Sequence, residues 1–381
     1  MRLLYAFPEP LPLPRARGIQ VANAVASLAR TGVDVTLAYV PSAEGDPQSA
    51  YGMEPSPLTS FLSLSRGWPK PLTCIPPFSR WHSVRFFASR MVTAVAESGQ
   101  PVDMVYVRHL KLAGLLRRRF PGLPLVYEAH EVFADTVPAR KRAKFVALEQ
   151  EVVSGAAAIV ANSKATADRL EALYGRPKHL LILPNGVTRP VSLPDKPWHE
   201  CAKHVIYAGS FFGWKGVSDL LSAAAMLPGF RITLIGGDDE QVARLRAAAP
   251  LPEAELEFLP RLPQKQVMEY LQSACIAVLP NRPELDSSFT SPIKLFEYMA
   301  AGCAVVASDL PPIREVLAAD EAAWFVPGDA HSLAQAIRAL ASNPAYARNM
   351  GERLREKSEN YTWRNRAQQL KAFLEEAIGS R

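Results

Sequence analysis

A lysine, a glutamate and several glycines stand where a phosphorylated ligand would use them. Residues 291–302 read SPIKLFEYMAAG. Ser291 is a good N-cap, and Pro292 suits the first helical position, where its missing N–H costs nothing. Gly302 ends the helix. A helix that starts so abruptly offers free N–H groups and a positive dipole end, which together attract anions. Lys294 and Glu297 are three apart and share a face. A cation beside the helix start suits a diphosphate, and a carboxylate one turn deeper suits a ribose diol. An ordinary capped helix with a surface ion pair would carry the same residues.

A second segment strengthens the ligand reading. Residues 207–216, YAGSFFGWKG, link a strand to a helix and place Gly209, Gly213 and Gly216 around Lys215. Glycines let backbone approach a ligand closely, and a lysine among them neutralises phosphate. The spacing matches neither GxxxxGK[ST] nor GxGxxG. Gly236 and Gly237 close the next strand and Arg261 follows another. In open parallel sheets ligands sit beyond the carboxyl ends of strands, and three successive ends here carry Gly, Lys or Arg.

The elements that must hold these residues alternate between strand and helix, the pattern of α/β domains built on parallel sheets. In the first half, strands are expected at 3–7, 33–40, 104–107, 125–127, 158–160 and 180–183, with a helix over 19–30. Residues 43–82, rich in Pro, Ser and Gly, form an excursion that the pattern does not place. A Pro-rich stretch (Pro190, Pro194, Pro197) reads as an interdomain linker. A second series follows, with strands at 204–208, 231–235, 255–259, 276–279 and 304–307. Its helices are expected at 217–226, 241–248, 264–273 and 292–301. A last amphipathic helix over 363–378 comes late enough to cross back. The expected domains are 1–190 with 363–381, and 191–362.

With 381 residues, 48% of them hydrophobic, the chain is long enough for two cores. No uncharged stretch reaches bilayer-spanning length, and no secretory signal precedes Pro8 and Glu9, so a cytoplasmic enzyme is the simplest expectation. Cys74, Cys201, Cys275 and Cys303 lack metal-ligand or redox spacing, so neither a zinc site nor a disulfide framework is expected. Residues 1–185 hold 22 Lys and Arg against 14 Asp and Glu, so the basic excess belongs to the first half. It gathers at Arg117–Arg119, at Arg140, Lys141, Arg142 and Lys144, and among the aromatics of 68–90. A solvated surface explains this blandly, and an anionic membrane face or a phosphorylated acceptor more sharply. No nucleic-acid-binding module is visible.

The segments 209–216 and 291–308 resemble the donor-binding signatures of retaining GT-B glycosyltransferases of family 4. The resemblance extends over most of the chain, through 15–28 with 33–37, 127–131 (YEAHE), 161–163 and 184–187. It implies two Rossmann-like, doubly wound α/β domains facing a central cleft, with acceptor bound mainly by the first and nucleotide-sugar by the second. It also implies transfer with retention and no obligatory metal or other cofactor. Carried over by position, Lys215 binds the diphosphate, with Gly209 and Ser210 in the same loop, and Glu297 binds the ribose. Backbone near Gly237, Arg261 and Leu262 holds the base, and the loop 288–291 with Phe289, Thr290 and Ser291 presents N–H groups to phosphate and sugar. His130 matches the histidine beside the donor sugar, and Gly18 the glycine loop that meets phosphate and acceptor.

The departures concern the sugar more than the fold. Phe289 stands where the family often has a first glutamate, Ser210 where it often has arginine, and a doubled glycine is reduced to Gly18 after Arg17. Lys294 then supplies positive charge, making His130, Lys215 and Lys294 the catalytic candidates. Arg108 and His109 are acceptor-side candidates. Glu128 and Glu131 flank His130, which a structural histidine would also explain. Trp214 either packs on the nucleotide or closes its loop, and Asp286 lies near the vacant glutamate position. The expected function is transfer from an NDP-sugar, UDP before GDP, to a hydroxyl of a cell-envelope glycan or other glycoconjugate. A nucleotide-sugar 2-epimerase and a non-catalytic nucleotide-sugar binder are the rivals.

Overall fold

The computed structural model describes residues 1–13, 16–67, 83–248, 254–284, 289 and 291–379. The chain divides into two compact units, Met1–Gly186 with Trp363–Arg381, and Val187–Thr362.

The first unit begins with β1 (Arg2–Leu11), α1 (Ala16–Arg30), β2 (Asp34–Pro41), α2 (Pro47–Ala50) and β3 (Thr59–Ser63). It continues with α3 (Val84–Ser98), β4 (Met104–Val107), α4 (Leu110–Arg119), β5 (Leu125–Ala129), α5 (Phe133–Thr136) and α6 (Ala139–Gly155). The series ends with β6 (Ala158–Ala161), α7 (Lys164–Tyr174) and β7 (Leu180–Ile182). All seven strands are parallel, in the order β3-β2-β1-β4-β5-β6-β7. Continuous apolar runs such as β4, buried at every position, suit strands covered on both faces.

The second unit holds β8 (His204–Ala208), α8 (Val217–Ala224), β9 (Arg231–Ile235), α9 (Asp239–Ala248), β10 (Glu255–Leu259) and α10 (Gln264–Ser273). β11 (Ile276–Leu279), α11 (Ile293–Ala300), β12 (Ala304–Ser308), α12 (Pro311–Arg314) and β13 (Ala323–Phe325) follow. α13 (Ala330–Ala341) and α14 (Pro344–Lys357) complete it. Its parallel sheet runs β10-β9-β8-β11-β12-β13. Each sheet reverses its winding beside its first strand, at β1/β4 and at β8/β11. Such switch points open a crevice at the carboxyl ends of strands.

α15 (Trp363–Gly379) belongs to the first unit, where it packs on α1 and buries Trp363, Leu370 and Leu374 in that unit's core. Cα-bound hydrogens of Gly186 face the Trp363 ring so closely that a Cβ would lie 2.4 Å from it.

Several expectations change. The unit boundary falls at 186/187, not 190/191, because Val187 N–H donates to Tyr361 and Val187 pairs with Thr362. The Pro-rich stretch packs onto the second unit. Lys196 is buried, and its ammonium donates to the carbonyls of Leu271, Ala274 and Gly302, while Trp198 joins the core. Cys201 and Cys275 form a disulfide, against expectation; 74 residues separate them in sequence, so spacing gave no sign of it. Cys303 is free and buried. Within 43–82, α2 and β3 emerge, β3 as an edge strand, while 68–82 lie outside the described residues.

The first unit holds 26 basic against 16 acidic residues and the second 17 against 21, so the asymmetry follows the structural division. Among the described residues no helix is long and apolar enough to cross a membrane.

Candidate functional site

In the second unit the strand ends converge on one constellation. Gly209 N–H still bonds to Ile235 at 2.7 Å, so the loop leaves β8 with its first residue held in the sheet. A Cβ on Gly209 would lie 2.3 Å from Lys294 Cε and 2.6 Å from Tyr207 Oη. Glycine here is therefore the condition for Lys294 to run across the loop. Gly236 is tighter still: a Cβ would lie 1.7 Å from the carbonyl oxygen of Gly209. Tyr207 Oη donates to the Ser210 carbonyl at 2.8 Å, and Ala208 N–H donates to Tyr298 Oη at 3.0 Å, tying the loop to α11.

Lys215 ends a 3₁₀ turn, Gly213–Lys215, closed by Gly216 at φ 67°. Its ammonium stands 3.6 Å from the centroid of the Trp214 ring, a cation–π distance, so Trp214 positions the lysine. The turn is fastened to the chain after β11. Arg282 N–H donates to the Trp214 carbonyl, and its guanidinium grips buried Asp219 through two bonds of 2.9 and 2.6 Å. A bidentate pair of this kind fixes geometry as well as charge. Sequence reasoning missed Asp219 and Arg282, whose 63-residue separation hides the pairing.

Lys294 and Glu297 share a half-buried face of α11, as expected. Burial pushes the Lys294 ammonium below its usual range, helped by Arg261 and opposed by Glu297. Burial pushes the Glu297 carboxyl up, against Lys294 and a hydrogen bond from Gln264. The Gln264 Nε2 to Glu297 Oε1 distance is 3.4 Å. Gln264, the first residue of α10, was not foreseen; its place two residues after Leu262 was the available signal. Arg261 N–H donates to the Gly237 carbonyl at 3.0 Å, which joins the two segments expected to hold the base. Arg261 is exposed and Leu262 packs against the core. Phe211 lies beneath Gly237, with its ring carbon 2.7 Å from where a Cβ would be.

The helix start differs from expectation. α11 begins at Ile293 with Pro292 at the cap position, and no side chain caps it. Ser291 is buried and Phe289 half-buried. Asp286, Ser288 and Thr290 lie outside the described residues.

In the first unit, His130 follows β5 and meets a buried ionic cluster. Glu128 is 3% exposed and receives Arg366 at 2.5 Å. Arg108 stands 3.5 Å from Glu128 on its other oxygen, and His130 Nε2 is 3.2 Å from Glu128 Oε1. Arg108 also donates to Gln20 at 2.8 Å and stands 3.2 Å from His130 Nδ1. Burial, reinforced by Arg108, lowers the His130 pKa to about 4 despite Glu128, so the ring is neutral at physiological pH. Burial would raise Glu128, but His130, Arg108 and Arg366 hold it well below the usual carboxylate range.

Gly18 does not form a loop. It lies in the first turn of α1, buried, and a Cβ would lie 2.3 Å from Tyr51 Oη and 2.6 Å from the Leu13 carbonyl. Close packing is the reason for glycine there. His109 caps α4, its Nδ1 accepting from Leu112 N–H, which marks it as structural. Glu131 accepts from Thr136 Oγ1 at 2.8 Å. Glu149, buried on α6, accepts from the backbone N–H groups of Phe133 and Ala134 and from Tyr174, holding the turn that follows His130.

With this geometry in place, comparison with known proteins decides the family. A model of glycosyl transferases group 1 matches residues 192–357, and one of glycosyltransferase family 4 matches residues 18–189. The chain belongs to the family 4 glycosyltransferases. It is similar to an alpha-maltose-1-phosphate synthase of Mycolicibacterium smegmatis, 28% identical over 253 residues, which cover 58% of this chain and 64% of that protein. The chain thus matches a little under two thirds of that relative's length. Among solved structures, a sucrose-phosphate synthase from Thermosynechococcus elongatus superimposes over 100% of both chains with a TM-score of 0.79 at 20% identity. Anabaena HepE, solved in complex with UDP-glucose, gives 0.73 at 15% identity, over 99% of this chain and 100% of that one. These likenesses establish the GT-B fold of this family 4 glycosyltransferase, two parallel-sheet Rossmann-like units.

Proposed function

We propose that this glycosyltransferase moves a sugar, with retention, from a nucleoside-diphosphate sugar to a hydroxyl of a cell-envelope glycan or other glycoconjugate. One observation carries the reading: Lys294 lies across Gly209 and feels the charge of Glu297 one turn along α11, which brings loop, ammonium and carboxylate together in one half-buried place. UDP is the favoured nucleotide and GDP the next; the UDP-glucose complex of HepE supports that order.

In this reading Glu297, steadied by Gln264, receives the ribose hydroxyls. Backbone at Gly237 and Arg261 frames the base. Lys215 and Lys294 stand by the diphosphate and take up the charge that grows on its β-phosphate as the glycosidic bond breaks. The acceptor hydroxyl attacks the same face that the diphosphate leaves, and its proton passes to the departing oxygen. The reading assigns no metal ion, because the two ammonium groups serve for charge neutralisation. His130, neutral, offers the sugar a hydrogen bond rather than a charge, which avoids a like charge beside an oxocarbenium-like centre.

The acceptor reaches the first unit, whose excess of basic side chains favours anionic partners. Phosphorylated sugars in the names of two similar proteins agree with an anionic acceptor. Arg140, Lys141, Arg142 and Lys144 are exposed in the first turns of α6, and we assign them peripheral contact with an anionic membrane face.

The deciding experiment is turnover of UDP- and GDP-sugars by Lys215→Ala. We expect a loss of about 100-fold or more in kcat, as for removal of one transition-state charge contact, with the unfolding midpoint unchanged. A variant with the wild-type rate removes Lys215 from the diphosphate site.

A further inference from the structure

His130 has a protein group facing each ring nitrogen, and the contact at Nδ1 fixes its tautomer. Nδ1 stands 3.2 Å from Arg108 Nη2. A guanidinium only donates, so Nδ1 must be the acceptor and the single proton of the neutral ring must sit on Nε2. Nε2 faces Glu128 Oε1 at 3.2 Å, within ion-pair distance but without an aligned hydrogen bond. Glu128 is in turn fixed from a remote part of the chain. Arg366, on α15, meets it at 2.5 Å while its Nε donates to the Pro184 carbonyl at 3.0 Å.

We propose that Arg108, Glu128 and Arg366 are positioning residues that hold His130 as the neutral Nε2–H imidazole, so that the C-terminal helix serves the reaction as well as the core. The inference rests on the reading above for what His130 does, though not for its tautomer. Three features carry it. The four groups come from four elements or their ends: β4 for Arg108, β5 for Glu128, the turn after β5 for His130, and α15 for Arg366. Every charged member is largely buried, with side-chain exposures of 12% for Arg108, 3% for Glu128 and 7% for Arg366. Such a cluster is costly to assemble without a role or a fully paired geometry. Finally, the donors and acceptors have one consistent assignment: two guanidiniums flank one carboxylate, and the imidazole accepts from a guanidinium at Nδ1 while its Nε2 faces the carboxylate. Tyr5 Oη, 3.5 Å from Glu128 Oε2, and Gln20, bonded to Arg108, complete the surroundings, with Tyr106 buried beside them.

Each partner has a distinct effect. Arg108 sets which nitrogen is protonated. Glu128 faces the nitrogen that carries the proton and stops the ring from turning over. Arg366 keeps Glu128 ionised and in place, and its charge also resists protonation of the ring. A neutral Nε2–H imidazole is a hydrogen-bond donor without a positive charge.

The test uses the full chain, without ligand, labelled with ¹⁵N at histidine. Ring-nitrogen shifts report the tautomer of His130, identified by its loss in His130→Gln, and a pH titration reports its midpoint. We expect Nε2–H in the wild type and no titration near pH 6.5. Arg108→Met should mix the tautomers, and Arg366→Met should raise the midpoint by about one pH unit, as removal of a nearby like charge does. Arg366→Lys should recover the wild-type values. A wild-type Nδ1–H signal, a wild-type midpoint near 6.5, or an Arg366→Met spectrum identical to wild type would overturn the proposal. The wild-type spectrum decides even if Arg366→Met fails to fold. In turnover assays Arg366→Met should lower kcat and move the acid limb by the same amount as the midpoint, leaving KM for the nucleotide-sugar within about twofold, because the groups assigned to the nucleotide and diphosphate lie in the other unit. A loss confined to stability, with the acid limb in place, also overturns it. If the spectra agree but wild type turns over no nucleotide-sugar, the transferase reading fails and the positioning assignment stands.

Discussion

Glu297 shows how a ligand-facing residue is maintained at a cost to the fold. Its carboxyl is half-buried and its pKa raised, mainly by burial. An acid whose folded pKa lies above its unfolded value stabilises the fold only while protonated, and that contribution is lost as pH rises past the unfolded value near 4.5. At neutral pH the ionised side chain is therefore a net burden, eased by Lys294 and Gln264. Glu297→Gln removes the burden and keeps the shape, though it takes a partner from Lys294. We expect the denaturation midpoint at pH 7.5 to hold or rise slightly. Nucleotide-sugar affinity should fall about tenfold, the equivalent of one charge-assisted hydrogen bond. Isothermal titration and urea unfolding check the two halves. A destabilisation above about 1 kcal/mol would instead mark Glu297 as part of the structural core.

Elements were more legible than their contacts. Strands at 204–208, 231–235, 255–259 and 276–279 and the helix at 264–273 follow directly from apolar runs and their punctuation, and the structure places them at those residues. Lys294 with Glu297 was legible too, since three-residue spacing on a helix is a local property. What escaped was non-local. Asp219 with Arg282, Cys201 with Cys275, and Glu128 with Arg366 lie 63, 74 and 238 residues apart, and no local pattern records such pairs. Gly18 escaped for another reason: its role is to make room for Tyr51, which lies on a different element.

Helix α6 carries its own test at this scale. Arg140, Lys141, Arg142 and Lys144 stand at a helix N-terminus, where the macrodipole disfavours cations, and Arg140 with Lys144 is a like-charge pair one turn apart. Among the described residues, none of the four forms an ion pair. Replacing all four by Gln should leave stability equal or improved. It should also weaken co-sedimentation with anionic vesicles by about 100-fold or more, at roughly 1 kcal/mol per cation, with no change on zwitterionic ones. Equal binding by both proteins would locate membrane contact elsewhere, or nowhere.

At the scale of the whole molecule, charge and protonation separate the two units. The first has a net charge of +10 and the second of −4, and the first also contains both histidines whose pKa is lowered to about 4. For His109 the causes are burial, then Arg66 and Lys111, and the neutral ring is needed because Nδ1 accepts the capping bond of α4. A base with a depressed folded pKa binds its proton more readily when unfolded. Stability from these two rings is thus complete above about pH 6.5, falls as pH drops through the window from 6.5 to 4, and has been lost below it. Each ring contributes on the order of 3 kcal/mol across that window, from a shift of about 2.5 units. Glu128 adds to the loss only below about pH 4.5, where its carboxyl takes up a proton in the unfolded chain but is held ionised in the fold. Urea unfolding followed every half pH unit should therefore show the transition of the first unit weakening steeply between pH 6.5 and 4. The double variant His109→Asn, His130→Gln should flatten that dependence, while starting from a lower plateau at pH 7.5. A wild-type profile as flat as that of the double variant would mean that neither imidazole is held neutral by its surroundings, and the neutral-ring account of His130 would fall with it.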